Sequence, residues 1–250
     1  MYLALHTDIT GCDVSGTSPS VILWQFGQDR EVMSYHGCLG KVNRVHFDQF
    51  GQKFGAADAK GSLSLWRFDA NLQSSKPYYT IACHSKATRD FSFLDSSSVL
   101  ATAGTSLSQS KANNLCIWDT LLPSTKSLVC ALPAHESGAY ATVYSSKNEQ
   151  LLSGGKNGEI TVTDIRQRAV MHTFNGHNSR IRSLTVDYKN GLLLSGSVDG
   201  DLKVSVFLLK LQIWDLETLT ERHTWGAQAR NRFLNTGFDR IQTIAQGIII

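Results

Sequence analysis

The sequence predicts an all-β chain built from repeating four-stranded units, and three recurrences predict it. The first is an alternating apolar segment that ends in Trp-Asp or a variant of it. It reads Val21-Ile-Leu-Trp24, Leu63-Ser-Leu-Trp66, Leu115-Cys-Ile-Trp118-Asp119, Ile160-Thr-Val-Thr163-Asp164 and Leu211-Gln-Ile-Trp214-Asp215. Its key positions are 24, 66, 118, 163 and 214, so successive gaps are 42, 52, 45 and 51 residues. The second is a histidine upstream of these segments: His84, His135 and His177, the last in a Gly176-His177 pair, with His36 a weaker instance. The third lies between the two and reads Leu100-Ala-Thr102-Ala-Gly, Leu151-Leu-Ser153-Gly-Gly and Leu193-Leu-Ser195-Gly-Ser.

A period of about 40 to 45 residues with a Trp-Asp signature is that of WD40-type β-propeller blades of four strands each. The spacing predicts about five blades plus part of a sixth, at approximately 1–36, 37–83, 84–134, 135–176, 177–226 and 227–250. Blade one is marked by its Trp24 segment. Blade two divides into strands at Val42–Asp48, Lys53–Asp58, Leu63–Phe68 and Tyr78–Cys83, where apolar and polar residues alternate as half-buried strands require. Blade three carries the set His84, Thr102 and Trp118. Blade four carries His135 and Ser153, but Asn157 stands at its turn and Thr163 replaces the tryptophan. Blade five carries His177, Ser195, Asp199 and Trp214, with Asp199-Gly200 as a tight-turn dipeptide between strands.

Two irregularities stand out. Removing Val204–Gln212 from blade five returns its gap of 51 to 42, so residues 204–212 read as an insertion, from alternative splicing or an artefact of the gene model, or else as an extension of the strand. The sixth blade begins near Asp239-Arg-Ile-Gln-Thr-Ile and stops on Ile248-Ile249-Ile250, an apolar strand without a partner in its own sequence. An unpaired apolar edge is an aggregation hazard, so the expectation is a fragment of a larger propeller rather than a closed ring.

Composition fits this architecture. The 250 residues are 42% hydrophobic and only 18% charged, with 20 glycines and four prolines, which suits many short strands joined by tight turns. A net charge of +3 is too small to imply nucleic acid without basic residues clustered on one face. The five cysteines are odd in number and contain no CxxC pair, so they read as buried hydrophobes in a reducing compartment rather than disulfides or a zinc site. The sequence shows no signal peptide and no apolar run of about 20 residues. The expected location is cytoplasmic, with no direct membrane insertion.

His177, Ser195 and Asp199 are the residue types of a hydrolytic triad, and that reading predicts an exposed His-Ser pair that reacts with a serine-directed probe. Recurrence argues otherwise. A reactive centre occurs once, whereas His, Ser or Thr, and Trp return blade by blade, as expected of a buried hydrogen-bonded network that locks each blade. The departures in blades two and four then predict weaker blades there. The loop Ser153-Gly154-Gly155-Lys156-Asn157-Gly158 lacks the spacing of a phosphate-cradling loop and sits in a hairpin. No catalytic residue, cofactor or metal site is therefore expected. Loops on a rigid scaffold are the better place for function. The loops expected at one face hold Lys41, Lys60, Lys86, Lys111, Lys156 and Arg180, a cationic rim that would suit an acidic partner, diluted by Asp199 and Glu136.

The stretches His84-Ser-Lys-Ala-Thr-Arg-Asp90-Phe-Ser-Phe, Leu115-Cys-Ile-Trp-Asp-Thr-Leu121 and Asp164-Ile-Arg-Gln-Arg168 with His172-Thr-Phe174 are far more specific than a bare Trp-Asp. They resemble the C-terminal WD repeats of the DmX-like proteins (rabconnectin-3 alpha), over most of the chain. That resemblance implies a non-catalytic scaffold in assembly of the vacuolar-type proton pump and organelle acidification, with V1 subunits of the pump and rabconnectin-3 beta as partners. The runner-up is a WD40 adaptor in another assembly, such as vesicle traffic.

Overall fold

Short alternating segments separated by Gly, Asp and Ser turns can bury their apolar faces only by stacking sheet on sheet. The computed structural model describes residues 5–7, 19–25, 30–68, 74–105, 114–147, 149–187, 192–199, 208–215, 221–226, 242–244 and 247–249. All regular structure among them is β-strand.

The chain divides into two units: 1–109 with 116–131, and 110–115 with 132–250. The first holds three sheets. One is β1 (Leu5–Thr7), β2 (Ser20–Gln25) and β3 (Arg30–His36); the second is β4 (Val42–Phe47), β5 (Lys53–Asp58), β6 (Ser62–Arg67) and β7 (Tyr79–Ala82); the third is β8 (Ala87–Phe93), β9 (Val99–Thr105), β10 (Leu115–Asp119) and β11 (Leu128–Leu132). The second unit holds a sheet of β12 (Ala139–Ser145), β13 (Gln150–Gly155), β14 (Glu159–Asp164) and β15 (Ala169–Asn175), and another of β16 (Ile181–Asp187), β17 (Leu192–Asp199), β18 (Leu208–Asp215) and β19 (Glu221–Gly226). A hairpin of β20 (Gln242–Ile244) and β21 (Gly247–Ile249) follows. In every sheet strand order follows sequence order. Repeated four-stranded meanders of this kind are WD40-type propeller blades. The strands expected for blade two agree with β4–β7 to within a residue at each end.

The same local irregularity recurs at the first strand pair of each four-stranded sheet. The register slips between Val42 and Arg44, Thr88 and Asp90, Ala139 and Ala141, and Ile181 and Ser183. One extra residue there (Asn43, Arg89, Tyr140 or Arg182) makes a bulge, which adds twist to the strand.

Aromatic packing explains the tryptophan of the motif in the first unit. Trp66 stacks on Phe54 with ring centroids 5.2 Å apart, and Tyr35 meets Phe54 edge-on at 4.8 Å. Val21, Leu23 and Val45 complete this cluster. A second cluster joins Leu63, Leu65 and Ile81 to Phe91, Leu100 and Trp118. In the second unit Leu152, Ile160 and Val162 of one sheet pack on Ile181, Leu184 and Leu193 of the next. Each such side chain contributes about 1.5–3 kcal/mol by leaving water.

One expectation changes. Ile248 and Ile249 do have partners: they pair with Thr243 and Gln242, because Ile244 faces Gly247 and folds the strand back as a hairpin. In blade five, β18 pairs with β17 from Asp215 opposite Leu192 to Leu208 opposite Asp199. Residues 208–212 therefore lengthen a strand, while 204–207 lie outside the described residues.

Candidate functional site: inter-strand staples and a cationic loop edge

Strand register fixes which residues occupy matching places. Trp66 lies opposite Phe54, Thr163 opposite Leu151 and Trp214 opposite Leu193. Two residues further along the inner partner come Ala56, Ser153 and Ser195. A hydroxyl at this place can face the histidine that precedes the first strand of its own sheet.

In the third sheet His84 Nε2 lies 3.0 Å from Thr102 Oγ1, and Trp118 donates its indole N–H to the same oxygen at 2.9 Å. In the fourth, His135 Nε2 lies 2.8 Å from Ser153 Oγ, and its Nδ1 is 3.1 Å from Glu159 Oε1. Glu159 Oε2 accepts the Asn157 amide at 2.8 Å, so this carboxylate ties the turn to the ring. Burial pushes the Glu159 carboxyl up, but the His135 hydrogen bond and the amides of Glu159 and Asn157 together outweigh it, and the group ends below the usual carboxylate value. In the fifth sheet His177 Nε2 lies 2.8 Å from Ser195 Oγ. Gly104 and Gly155 matter here because a Cβ at Gly104 would run into the His84 ring, and one at Gly155 into the Glu159 carboxylate and then the His135 ring.

All three histidines and their hydroxyl partners are buried. A nucleophile needs a substrate within reach, and these pairs are sealed among strands, so the geometry suits locking rather than hydrolysis. The side chains of Asp199 and Trp214 lie outside the described residues. Thr163 is fully buried, and its hydroxyl has no partner among the described residues.

In blade two the weaker histidine, His36, is exposed at the end of β3 and Ala56 stands in place of the hydroxyl, and Asp58 ties the turn instead. Its Oδ2 accepts the amides of Leu39 (3.0 Å) and Gly40 (3.2 Å), and its Oδ1 those of Lys60 and Ser62 (both 2.9 Å). The sequence reading missed this residue. The readable signal is Asp58-Ala-Lys-Gly61, an aspartate placed to bond amides of its own turn. Backbone carries the same staple elsewhere: the Gly61 carbonyl accepts the amides of Cys83 and His84, and the Gly158 carbonyl those of Gly176 and His177.

These staples place the expected rim cations. In the first unit Ala59 donates to the Lys41 carbonyl at 2.8 Å, and Gly61 binds the loop that leads to Lys86. Lys41, Lys60 and Lys86 thus share one end of that unit, all exposed. In the second unit exposed Lys156 and half-buried Arg180 share the end where Gly158 meets His177, with the Arg180 guanidinium 5.2 Å from the Tyr140 ring centre. Lys111 lies outside the described residues. No cluster of His, Cys, Asp or Glu among the described residues could hold a metal. Burial, and then the Asp58 charge, pushes the Cys38 thiol up to about 12, and burial does the same for Cys116. Such thiols are inert at neutral pH.

Residues 168–204 match the WD domain, G-beta repeat family. DmX-like protein 1 of Mus musculus is 33% identical over 234 residues, and that of Homo sapiens 35%, in each case over 90% of this chain. The chain spans about 7% of the length of these relatives. A solved structure titled "Crystal Structure of Mitotic Checkpoint Complex" superposes with a TM-score of 0.65 at 16% identity, covering 84% of this chain and 59% of that one, a likeness of fold alone. The repeat match over residues 168–204 and the similarity across nine-tenths of the sequence make this chain similar to the WD-repeat region of the DmX-like proteins.

Proposed function

We propose that the chain is a non-catalytic scaffold that contributes to assembly of the vacuolar-type proton pump, and so to acidification of organelles. WD repeats similar to those of DmX-like proteins give it a protein-interaction role, and the likeness to DmX-like protein 1 over 90% of the chain is the observation that carries the finer reading. Its partners are then V1 subunits of the pump and rabconnectin-3 beta, met on the cytosolic side of vesicles or endomembranes. The contact we favour is the cationic end of each unit, Lys41, Lys60 and Lys86 in one and Lys156 and Arg180 in the other, facing acidic surfaces. The structural network of His84, Thr102, Trp118, His135, Ser153, His177 and Ser195 serves this role by holding the loops still.

Affinity purification of the tagged chain from cell lysate, with mass spectrometry, tests the reading. V1 subunits and rabconnectin-3 beta should be enriched over a propeller of unrelated sequence. Recovery of another assembly, such as vesicle-traffic proteins without pump subunits, would replace it with the general adaptor role.

A further inference from the structure

Outer strands are where a blade meets other chains, and the native outer strands of this molecule differ sharply in how they are guarded. An exposed sheet edge invites pairing with another strand, and proteins blunt it with charges, proline, bulges or shortness. β3 carries Arg30 and Glu31, and β19 carries Glu221 and Arg222. β15 is broken by a register slip at Val162/Thr163 that leaves Met171 as an extra residue. β7 has only four residues. β11 has none of the charge, proline or bulk-polar guards: it reads Leu-Val-Cys-Ala-Leu, and among the described residues its one strand neighbour is β10.

The surface around β11 is apolar as well. Leu128 and Val129 on the strand are 49% and 40% exposed, and Leu121 on the preceding loop is 78% exposed. That loop is held in place: Asp119 donates its amide to the Ser127 carbonyl at 2.8 Å, and the Tyr79 hydroxyl donates to the Leu122 carbonyl. Tyr78, beside it, is also exposed, with the Arg67 guanidinium 5.0 Å from its ring centre. Exposed cations lie on the segments that border the patch: Lys126 two residues before β11, and Arg67 and Lys76 on the neighbouring blade, whose Tyr79 reaches the Leu122 carbonyl. The carboxylate of Asp119 is turned onto the Leu121 amide at 2.9 Å.

We propose that β11 is a strand-addition site for an extended segment of a protein partner, apolar where it lies along Leu128–Leu132 and acidic at its flanks. A pairing strand satisfies the open backbone groups of the edge, its side chains cover Leu121, Leu128 and Val129, and its carboxylates meet Lys126 beside the strand. A lipid surface fits less well, since hydrocarbon leaves the backbone groups of an open edge without partners. A second copy of this chain pairing through the same edge brings a second Lys126, and the Asp119 carboxylate beside the patch is already turned onto the Leu121 amide.

The probe is a short synthetic peptide of alternating valine and threonine with paired glutamates at both ends, titrated into the whole 250-residue chain by fluorescence anisotropy. Binding should slow hydrogen exchange at residues 128–132 and leave β7 and β15 unchanged. Leu128→Lys with Val129→Lys should weaken binding about tenfold, the size expected when two apolar contacts are lost. Lys126→Glu, on an exposed side chain that disturbs no packing, should weaken the acidic peptide and favour one with lysines in place of its glutamates. Equal affinity in both variants, or protection that falls elsewhere, overturns the proposal. So does a stable dimer in sedimentation that the Leu128→Lys, Val129→Lys variant dissolves, or binding of the chain to phosphatidylserine vesicles that the same variant abolishes.

Discussion

Each buried histidine here acts through a hydroxyl on the neighbouring strand, and the quality of that contact varies with one residue. Thr102 is met by both His84 and Trp118, whereas Ser153 is met by His135 alone because Thr163 stands where the other blades place tryptophan. Thr163 pays for its position with a buried hydroxyl that no group meets among the described residues. Valine has nearly the same shape without the hydroxyl, so Thr163→Val should stabilise the chain by about 1 kcal/mol and raise Tm by about 2–4 °C in calorimetry. An unchanged or lower Tm would mean the hydroxyl has found a partner. Glu159 gives a second prediction at this scale. Its carboxyl is depressed in the folded chain, so its stabilising contribution is complete above the unfolded value of 4.5 and is lost as pH falls through the lower folded value. Glu159→Gln should therefore be less stable than the native chain in urea at pH 7, and the two curves should converge as pH drops below 4.5.

At the level of the element, the staple between a hairpin turn and the loop before the first strand is the repeated device, and its chemistry is interchangeable. A His–hydroxyl pair performs it in three sheets and the Asp58 carboxylate in the second. Blade two departs from the motif and is expected to be weaker, and there one buried carboxylate accepts four amides. Asp58→Ala leaves those amides without their acceptor and should cost about 3 kcal/mol in urea denaturation, whereas Asp58→Asn keeps one oxygen acceptor and should cost less. Hydrogen exchange should show the Asp58→Ala loss first at Leu39, Gly40, Lys60 and Ser62. The sequence could not display this substitution readily. A search for recurring residue types finds repeated solutions, and Asp58 is a single solution to the repeated problem. Gly104 and Gly155 were legible only as glycines; that one makes room for the His84 ring and the other for the Glu159 carboxylate and the His135 ring it meets is a fact of three-dimensional approach.

For the whole molecule, the repeat made the architecture legible, because the ladder places Trp66, Thr163 and Trp214 opposite Phe54, Leu151 and Leu193 as the sequence spacing suggests. What escaped was governed by pairing rather than periodicity: the hairpin that gives Ile248 and Ile249 partners. Function is legible in the same uneven way. The rim cations are spaced by blade, but their common placement in the first unit comes from hydrogen bonds, Ala59 to Lys41 and His84 to Gly61, that no spacing reveals. If that end receives an acidic partner, its contribution is long-range and screened by salt, since exposed charges lose their hold beyond about 8 Å at physiological ionic strength. Reversing Lys41, Lys60 and Lys86 together to glutamate should then cut recovery of V1 subunits at low salt and flatten its dependence on salt, while leaving the melting temperature nearly unchanged because all three side chains are exposed. Recovery that is unchanged by the reversal, yet lost when Leu128 and Val129 are replaced by lysine, would move the principal contact from the cationic loops to the open edge of β11.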